Sequence, residues 1–504
     1  DRSADNRLSD SELVAQFANP SNEWRGKPFW SWNGKLDKDE LIRQVGVMKD
    51  MGFGGYFMHS RVGLATEYLG EEWFDLINAV ADAGTAEGMI NYLYDEDRWP
   101  SGTAGGYVTM KPEYRLHTMD MTTFPKSADM VLADTLAAVF TCNLDGSSYT
   151  DLQRVHSVDE AMASKGETVL AFYVKECGRS NFYNGYTMVD EMNREATDYF
   201  ISLTHDAYQK NCGDRLGTTI TGIFTDEPHR GQILNGGASI SWTASMPDEY
   251  AARFGGDILD DLPRIFLHPD GNIYDKAKWN YVELAQELFL ENFVEPQEKW
   301  CKDHGIAYTG HFLHEDNLTS QVVCQGSLMR DYEHQDIPGI DNLTQYSRTY
   351  WAAKQVSSVA RQTGKKMILS ELYGCSGWQM SFEDYKDAGD WQALFGVNLR
   401  CPHLSWYTME GEAKRDYPAS ISFQSGWYKD FKFVEDYYSR LGLLIAQGEP
   451  VCDLLVVSPI ESVFAQISVD SFNGLSPRSA SMNAIEDGYR NLFHWLAGAQ
   501  IDFD

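Results

Sequence analysis

A repeated order of elements constrains the fold of this chain more than any other feature. In the first hundred residues, strand-like runs at 27–34, 56–59 and 89–94 alternate with helical periodicity at about 37–51 and 71–87. Polar residues follow each strand, and glycine ends each helix. This order is typical of right-handed β/α units, which build a parallel sheet. The polar residues after the strands are therefore expected to share one edge of that sheet.

The same order returns later in the chain and brings the count to eight units. The five later strands, each with its polar end, are predicted at 220–229, 306–316, 340–342, 366–374 and 401–411. Eight consecutive units predict an α/β fold of the (β/α)8, or TIM barrel, class. We expect this barrel to occupy residues 1–448.

Two regions depart from the barrel pattern. Strand-like runs and Asp-Gly-Ser and Asn-Gly turns between residues 105 and 190 predict an inserted antiparallel β subdomain. Residues 449–504 resemble the beginning of a flavodoxin-like doubly wound domain, with strands at 451–457 and 501–503 around a helix at 484–497. Such a domain would be incomplete at residue 504, so we expect the chain to be part of a longer protein.

Composition excludes several classes of partner. The formal net charge is −32, from 42 basic and 74 acidic residues, which disfavours nucleic acid and anionic membranes. No run of about 18 apolar residues predicts a membrane-spanning helix. The eight cysteines lack zinc-type spacing and are expected to be free thiols. The first residues lack the apolar core of a signal peptide, which fits a periplasmic or extracellular protein after signal removal, or a cytoplasmic one. The oligomeric state is left open.

Two glutamates stand out as candidate catalytic residues. Glu227 follows the apolar fourth strand, at which Pro228 prevents further ladder pairing, and Glu371 lies at the end of the seventh strand. In a barrel these carboxylates would face one another across the mouth. Glycoside hydrolysis needs such a pair, here with Glu227 as the proton donor and Glu371 as the nucleophile or base. The alternative is that Asp226 and Glu227 only cap a helix or solvate a loop.

Thirteen further residues at predicted strand ends are candidates for substrate binding. They are Trp32, His59, Arg61, Asp95, Asp97, Trp99, Asp226, His229, His311, His314, Asp341, Tyr373 and Trp406. Aromatic rings can stack on sugars, although for each ring singly core packing explains the position equally well. The acidic residues after the third strand could instead form a solvated loop or an ion-pair network.

Two other classes of function compete with the glycosidase hypothesis. The histidines at 59, 229, 311 and 314, with Asp226, could form a mononuclear metal hydrolase site, but their spacing matches no ligand motif and no metal ligand is assigned. A barrel that binds glycans without hydrolysing them is the other alternative. Glutamates at the ends of two apolar strands argue against that alternative.

Several motifs resemble those of carbohydrate enzymes. Thr-Asp-Glu-Pro at 225–228 resembles the Asn-Glu-Pro acid/base motif of clan A glycoside hydrolases, and Ser-Glu-Leu at 370–372 resembles their nucleophile strand. Pro-Phe-Trp-Ser-Trp-Asn-Gly at 28–34, Gly-Gly-Tyr-Phe-Met-His-Ser at 54–60 and Tyr-Asp-Glu-Asp-Arg-Trp-Pro-Ser-Gly at 94–102 extend the pattern. With a flavodoxin-like segment after the barrel, the whole is similar to the large bacterial hydrolases around family 106, the α-L-rhamnosidases.

This resemblance implies an exo-acting enzyme that removes a terminal sugar, such as α-L-rhamnose, from plant or microbial oligosaccharides or polysaccharides. It also implies inversion and a calcium ion near the sugar, although the residues themselves require no cofactor. One departure stands in the motif, because Asp226 replaces the asparagine of clan A. A carboxylate can bind a sugar hydroxyl only as an acceptor.

Overall fold

The computed structural model describes residues 8–504, in which seventeen strands are assigned. In chain order they are β1 (Phe29–Gly34), β2 (Gly55–Leu64), β3 (Ile90–Tyr94), β4 (His117–Pro125), β5 (Ala138–Asp145), β6 (Ser148–Arg154), β7 (Thr168–Glu176), β8 (Ile220–Asp226), β9 (Ser239–Trp242), β10 (His268–Pro269), β11 (Ala307–His311), β12 (Ile337–Asn342), β13 (Leu369–Leu372), β14 (Leu399–Pro402), β15 (Ser405–Trp406), β16 (Phe472–Asn473) and β17 (Ser476–Pro477).

Seventeen α-helices accompany these strands in the described part of the chain. They are α1 (Asp10–Ala18), α2 (Lys38–Asp50), α3 (Glu71–Ala86), α4 (Val158–Ala163), α5 (Arg194–Leu203), α6 (His205–Cys212), α7 (Met246–Phe254), α8 (Ile258–Phe266), α9 (Lys276–Phe289), α10 (Glu295–Asp303), α11 (Leu318–Cys324), α12 (Leu328–Tyr332), α13 (Tyr350–Thr363), α14 (Phe382–Leu394), α15 (Lys432–Gln447), α16 (Ile460–Phe464) and α17 (Ala480–Gly498). A π-helical turn at Leu290–Val294 joins α9 to α10.

The barrel is one parallel sheet of nine strand segments, in the order β14, β13, β12, β11, β8, β3, β2, β1, β15. The two outer segments belong to the same stretch of chain, since only His403 and Leu404 separate them. β14 pairs with β13 while β15 pairs with β1, so together they act as an eighth strand that joins the two sides of the sheet. The prediction of a (β/α)8 barrel is confirmed.

Strands β8 and β11 approach each other so closely that glycine is required at position 310. Gly310, in β11, has φ of +133°, and a Cβ at this position would collide with the carbonyl oxygen of Thr225 in β8. Only glycine meets both conditions without strain. It therefore allows β11 to run directly against β8 up to the last pair of the ladder, which joins His311 to Asp226.

The second sheet has six strands in the order β10, β6, β5, β7, β4, β9. Its central strands β4 to β7 are antiparallel and lie within the region predicted as an inserted β subdomain. β9 and β10 add to the two edges from sequence beyond residue 190. These two short strands have little local pattern of their own, because long-range pairing holds them in the sheet.

The segment after α15 contains α16, the β16–β17 hairpin and α17. Residues 451–457, predicted as a strand, have no assigned strand. They nevertheless pair locally with the end of the chain: Val456 N–H donates to Asp504 O at 2.7 Å, and Asp504 N–H donates to Leu454 O at 3.0 Å. The flavodoxin-like assignment of 449–504 stays a prediction.

Across residues 8–504, every helix is too short or too polar to serve as a membrane span.

Candidate active site

Four neighbouring barrel strands deliver polar side chains to one place at their carboxyl ends. Asp226 ends β8, His311 ends β11, Asp341 lies near the end of β12, and Glu371 lies near the end of β13. In the ladders, His311 pairs with Asp226 and Asp341 pairs with Glu371. Because side chains alternate along a strand, matched positions on neighbouring strands point to the same side of the sheet. The sequence thus builds a compact polar cluster from residues that are far apart in the chain.

His311 lies at the centre of this cluster. Its Nε2 is 2.6 Å from Oε2 of Glu371 and 3.6 Å from Oδ1 of Asp226. On the other side of the same carboxyl group, His403 Nε2 is 3.5 Å from Oε1 of Glu371. Burial lowers the pKa of His311 and holds the pKa of His403 well below its usual range, so both imidazoles are neutral at physiological pH.

Glu227 reaches the cluster from the turn that follows β8. Its φ is +50°, and its backbone is fixed by an N–H donated to the carbonyl of His311 at 3.1 Å. Its own carbonyl accepts the Nδ1–H of His229 at 3.1 Å. A carboxylate oxygen of Glu227 lies within 4.8 Å of ligand atoms of His311 and Asp341. The left-handed turn therefore changes the direction of the chain and places Glu227 over the end of the barrel.

The carboxyl groups of the cluster hold protons tightly. Burial of its carboxyl, reinforced by the charges of Asp226 and Asp316, raises the pKa of Glu227 to about 8. Burial, followed by repulsion from neighbouring carboxylates, raises the pKa of Glu371 and of Asp341 well above the usual range. Such shifts are frequent where a fold assembles catalytic acids and bases. At neutral pH, Glu227 is mostly a carboxylic acid that can donate a proton.

Asp226 is fixed by the third strand and its loop. Tyr94 O–H donates to Asp226 Oδ2 at 2.6 Å. Ser101 exchanges two bonds with the Asp226 backbone, because its Oγ accepts the Asp226 N–H and its N–H donates to the Asp226 carbonyl, both at 2.8 Å. Ser101 O–H also donates to Asp95 at 2.5 Å. Asp95 thus lies beneath the cluster and acts on it through Ser101.

The loop after the third strand is wound around Glu96. The Glu96 carboxylate accepts backbone N–H groups from Gly102, Thr103 and Ala104 at 2.8–3.0 Å. A buried carboxylate with several backbone donors stabilises the loop that contains it. Of the three acidic residues Asp95, Glu96 and Asp97, Glu96 therefore has a purely structural explanation.

A second group of side chains lines the mouth around Arg61. The guanidinium donates to both oxygens of Asp416, at 3.1 and 2.9 Å, and lies 4.3 Å from the ring centroid of Trp99. Tyr417 and Trp406 contact the same group, with centroids at 5.6 and 5.8 Å. Arg61 is buried, and its charge is met by a carboxylate and three rings.

The remaining predicted residues of the mouth lie around these two groups. Asp97 accepts the Ser60 O–H at 2.6 Å, and His314 Nδ1 lies 3.5 Å from Asp316. His59 is fully buried, and its ring stacks on Tyr94 at 3.8 Å. His59 therefore supports the Tyr94 ring rather than facing solvent.

Two predicted aromatic platforms do not lie at the site. Trp32 is fully buried and packs edge to face against Trp30 and Trp73, which places it between β1 and the surrounding helices. Tyr373 is 1% exposed, and its hydroxyl oxygen accepts an N–H from Arg400 at 3.3 Å. A ring buried on both faces cannot stack on a sugar, so the assignment of these two residues to substrate binding is corrected. The same correction applies to the rings of Trp406 and His59, which are 1% and 0% exposed.

Sequence reasoning missed three residues that contact the site. Tyr94 and His403 both lie at strand ends, so the positional signal that selected the other candidates applies to them. Asp416 has no such signal, since it lies in the loop after the last barrel strand and reaches Arg61 from 355 positions away.

The cluster could also hold a cation. Asp226, His311 and Glu371 offer ligand atoms within 4.8 Å of one another, and so do Glu227, His311 and Asp341. Oδ1 of Asp341 is buried and has no hydrogen-bond partner among the described residues. Calcium prefers oxygen ligands, so the carboxylates fit this ion, whereas the imidazole nitrogen is a better ligand for transition metals.

Comparison with known families now assigns the barrel. The family model described as α-L-rhamnosidase, glycoside hydrolase family 106, matches residues 180–477, which is more than half of the chain. The chain belongs to glycoside hydrolase family 106. The match covers β8 to β15 and thus includes all the acidic residues of the cluster, so the resemblance noted from the motifs is confirmed.

Individual relatives of this family 106 chain are distant. A curated protein of Formosa agariphila named "Putative beta-glucuronidase" is 21% identical over 88% of the chain and 43% of its own length. The rhamnosidase from Novosphingobium sp. PP1Y superposes with a TM-score of 0.64 at 14% identity, covering 88% of this chain and 61% of that one. Gan42B, a GH42 β-galactosidase, gives 0.52 at 10% identity over 95% and 66%. The chain thus spans less than two thirds of the first two proteins.

Proposed function

We propose that this chain forms the catalytic barrel of an exo-acting glycoside hydrolase that releases a terminal neutral sugar, α-L-rhamnose being the best candidate. The observation that carries the proposal is the meeting of Glu227, with its pKa of about 8, and Glu371 around His311 at the mouth of a family 106 barrel. Glycoside hydrolysis needs one carboxyl group that is protonated and one that can act as a base or nucleophile.

In this proposal Glu227 gives its proton to the glycosidic oxygen as the bond to the sugar breaks. Its raised pKa keeps the proton available at neutral pH. Glu371, once it has lost its own proton, removes a proton from the attacking water, as the family resemblance to inverting enzymes implies. When Glu371 is ionised, the Nε2–H of neutral His311, 2.6 Å away, stabilises the carboxylate.

A neutral sugar fits the charges of the mouth better than a uronic acid. A uronate carboxylate would enter a cluster in which the pKa values of Asp226, Asp341 and Glu371 are already raised, so a further negative charge would oppose the ionisation that Glu371 needs to act as a base. The nearby Arg61 guanidinium is engaged by both oxygens of Asp416. Like charges within one small cluster repel strongly where water is excluded. These charges favour a rhamnoside over the glucuronide that the name of the Formosa relative suggests.

The proposal includes a calcium ion near the sugar, with Asp341 as one ligand because its Oδ1 is buried and has no hydrogen-bond partner among the described residues. When bound, calcium would supply positive charge for sugar hydroxyl groups and would favour the ionised form of its ligands. Treatment with a chelator followed by gel filtration should then reduce turnover, and added calcium should restore it. Full activity in the metal-free protein would remove calcium from the proposal without affecting the two glutamates.

The test of the function uses Glu227→Gln and Glu371→Gln, with Glu412→Gln as a matched control at an exposed position. Substrates are 4-nitrophenyl α-L-rhamnoside, the corresponding β-D-glucuronide, and a disaccharide with terminal rhamnose. We expect both site variants to lose at least about a hundredfold in kcat on the disaccharide, as is usual when a general acid or base is removed. The control should behave as wild type.

The leaving group distinguishes the two roles. Nitrophenolate leaves without protonation, so Glu227→Gln should retain much more activity on the nitrophenyl rhamnoside than on the disaccharide, whereas Glu371→Gln should lose both. Near-normal turnover of the disaccharide by either variant would remove that residue from the mechanism. Tight sugar binding without turnover by the wild-type chain would instead indicate a glycan-binding barrel.

A further inference from the structure

The C-terminal helix α17 contacts the barrel beside the candidate active site. Its residue Glu486 is 6% exposed, and the carboxylate accepts the backbone N–H of Thr319 at 2.5 Å and of Leu318 at 3.3 Å. These are the first two amides of α11, which have no partner within the helix. Asn317 caps the next free amide, that of Ser320, at 2.8 Å. The start of α11 is therefore fixed jointly by its own cap and by Glu486.

A carboxylate in this position is an effective anchor. It meets free N–H groups and the positive end of the helix dipole, and charge-assisted bonds of this kind are stronger than neutral ones. The contact also spans 167 positions of sequence, from Glu486 to Thr319. It therefore joins the segment after the barrel to the loop at 312–317, which lies between β11 and α11.

The loop at 312–317 is part of the mouth. Oε1 of Glu315 accepts the backbone N–H of Asp341 at 3.0 Å, so the loop holds the end of β12. The carbonyl of Asp316 accepts the indole N–H of Trp351 at 2.6 Å. The Trp351 ring in turn packs edge to face against His494 of α17, with centroids 6.2 Å apart. Helix α17 thus supports the loop directly through Glu486 and indirectly through Trp351.

We propose that Glu486 is a positioning residue, which fixes the loop at 312–317 and thereby the place of Asp341 in the substrate site. The inference rests on the proposed function for its kinetic consequence, though not for the structural coupling. Loss of the anchor frees the first turn of α11 and lets Glu315 move away from Asp341. Substrate binding then weakens, while the proton transfers at Glu227 and Glu371 are retained.

The experiment compares Glu486→Ala, Glu486→Gln and Asp487→Asn in the full chain, assayed on the nitrophenyl rhamnoside well below each melting temperature. Asp487 is exposed on the same helix and serves as the matched control. We expect Glu486→Ala to raise KM roughly fivefold or more with kcat changed less than about twofold, since an interaction remote from the reacting bond is lost. Glu486→Gln should be intermediate, because its amide oxygen still accepts one N–H.

Hydrogen exchange without substrate gives a second readout that does not depend on catalysis. Amides of residues 314–321 should exchange faster in Glu486→Ala and at the wild-type rate in Asp487→Asn. If the wild type turns over no glycoside, the proposed function fails, and the exchange rates still decide the inference. Unchanged exchange at 314–321, a loss confined to kcat, or an equal effect of Asp487→Asn would overturn the role of Glu486.

Discussion

The pKa of Glu227, which burial and two neighbouring carboxylates raise to about 8, predicts the pH above which activity should fall. An acid of this pKa is roughly 90% protonated at pH 7 and roughly 10% protonated at pH 9. If Glu227 donates the proton to the leaving oxygen, the fraction of the enzyme that holds this proton should limit kcat on the alkaline side. Above pH 8 it should fall about tenfold for each further unit.

Asp316→Asn is the perturbation that tests this reasoning. The negative charge of Asp316 is one of the causes of the raised pKa of Glu227, so its removal should move the alkaline limb to lower pH. The assay measures kcat against pH on the rhamnosyl disaccharide, because the sugar that leaves from it needs the proton. Released sugar is measured by chromatography. Asp303→Asn, at an exposed position on α10, is the control. A wild-type limb below pH 6, or a limb that Asp316→Asn leaves in place, would refute the assignment of Glu227.

Three further substitutions test the site and the barrel. Tyr94→Phe removes the donor to Asp226 at 2.6 Å, and steady-state kinetics should show kcat/KM reduced roughly tenfold, since a bond to a carboxylate contributes roughly 1.5–3 kcal/mol. Asp416→Asn leaves the buried Arg61 guanidinium without its counter-charge, and urea denaturation should show the free energy of unfolding lowered by about 3 kcal/mol. Gly310→Ala places a methyl group against the Thr225 carbonyl, and circular dichroism of the purified protein should show loss of the native fold or a much lower melting temperature.

The barrel was predictable because each unit leaves its own local pattern. Apolar strands, polar strand ends and glycine after helices follow one another closely in each unit, and they identify even β12, the strand with the weakest pattern. The break between β14 and β15 leaves no such pattern. It depends on which neighbour each half pairs with, and the partners β13 and β1 come from opposite ends of the barrel sequence.

The same distinction separates the site residues. Acidic residues after apolar strands are costly to bury without a function or a partner, so Glu227, Asp341 and Glu371 could be selected from sequence. Aromatic residues give no such signal, because a ring at a strand end packs equally well in the core. Trp32 is buried among other rings, whereas Trp99 lies against Arg61 at the mouth, and only the tertiary contacts distinguish them.

Asp226 is the position at which the motif departs from clan A, and its contacts give a physical reason for a carboxylate there. Oδ2 of Asp226 accepts the O–H of Tyr94. His311 lies 3.6 Å from Oδ1 of Asp226 but makes its close contact, at 2.6 Å, with Glu371. Oδ1 is therefore free to accept a sugar hydroxyl, whereas the asparagine of clan A could also donate. Under the proposed function the sugar must present a donor at this point. A substrate analogue with that hydroxyl methylated should then bind far more weakly, while Asp226→Asn should recover part of the binding, because its N–H can donate to the ether oxygen.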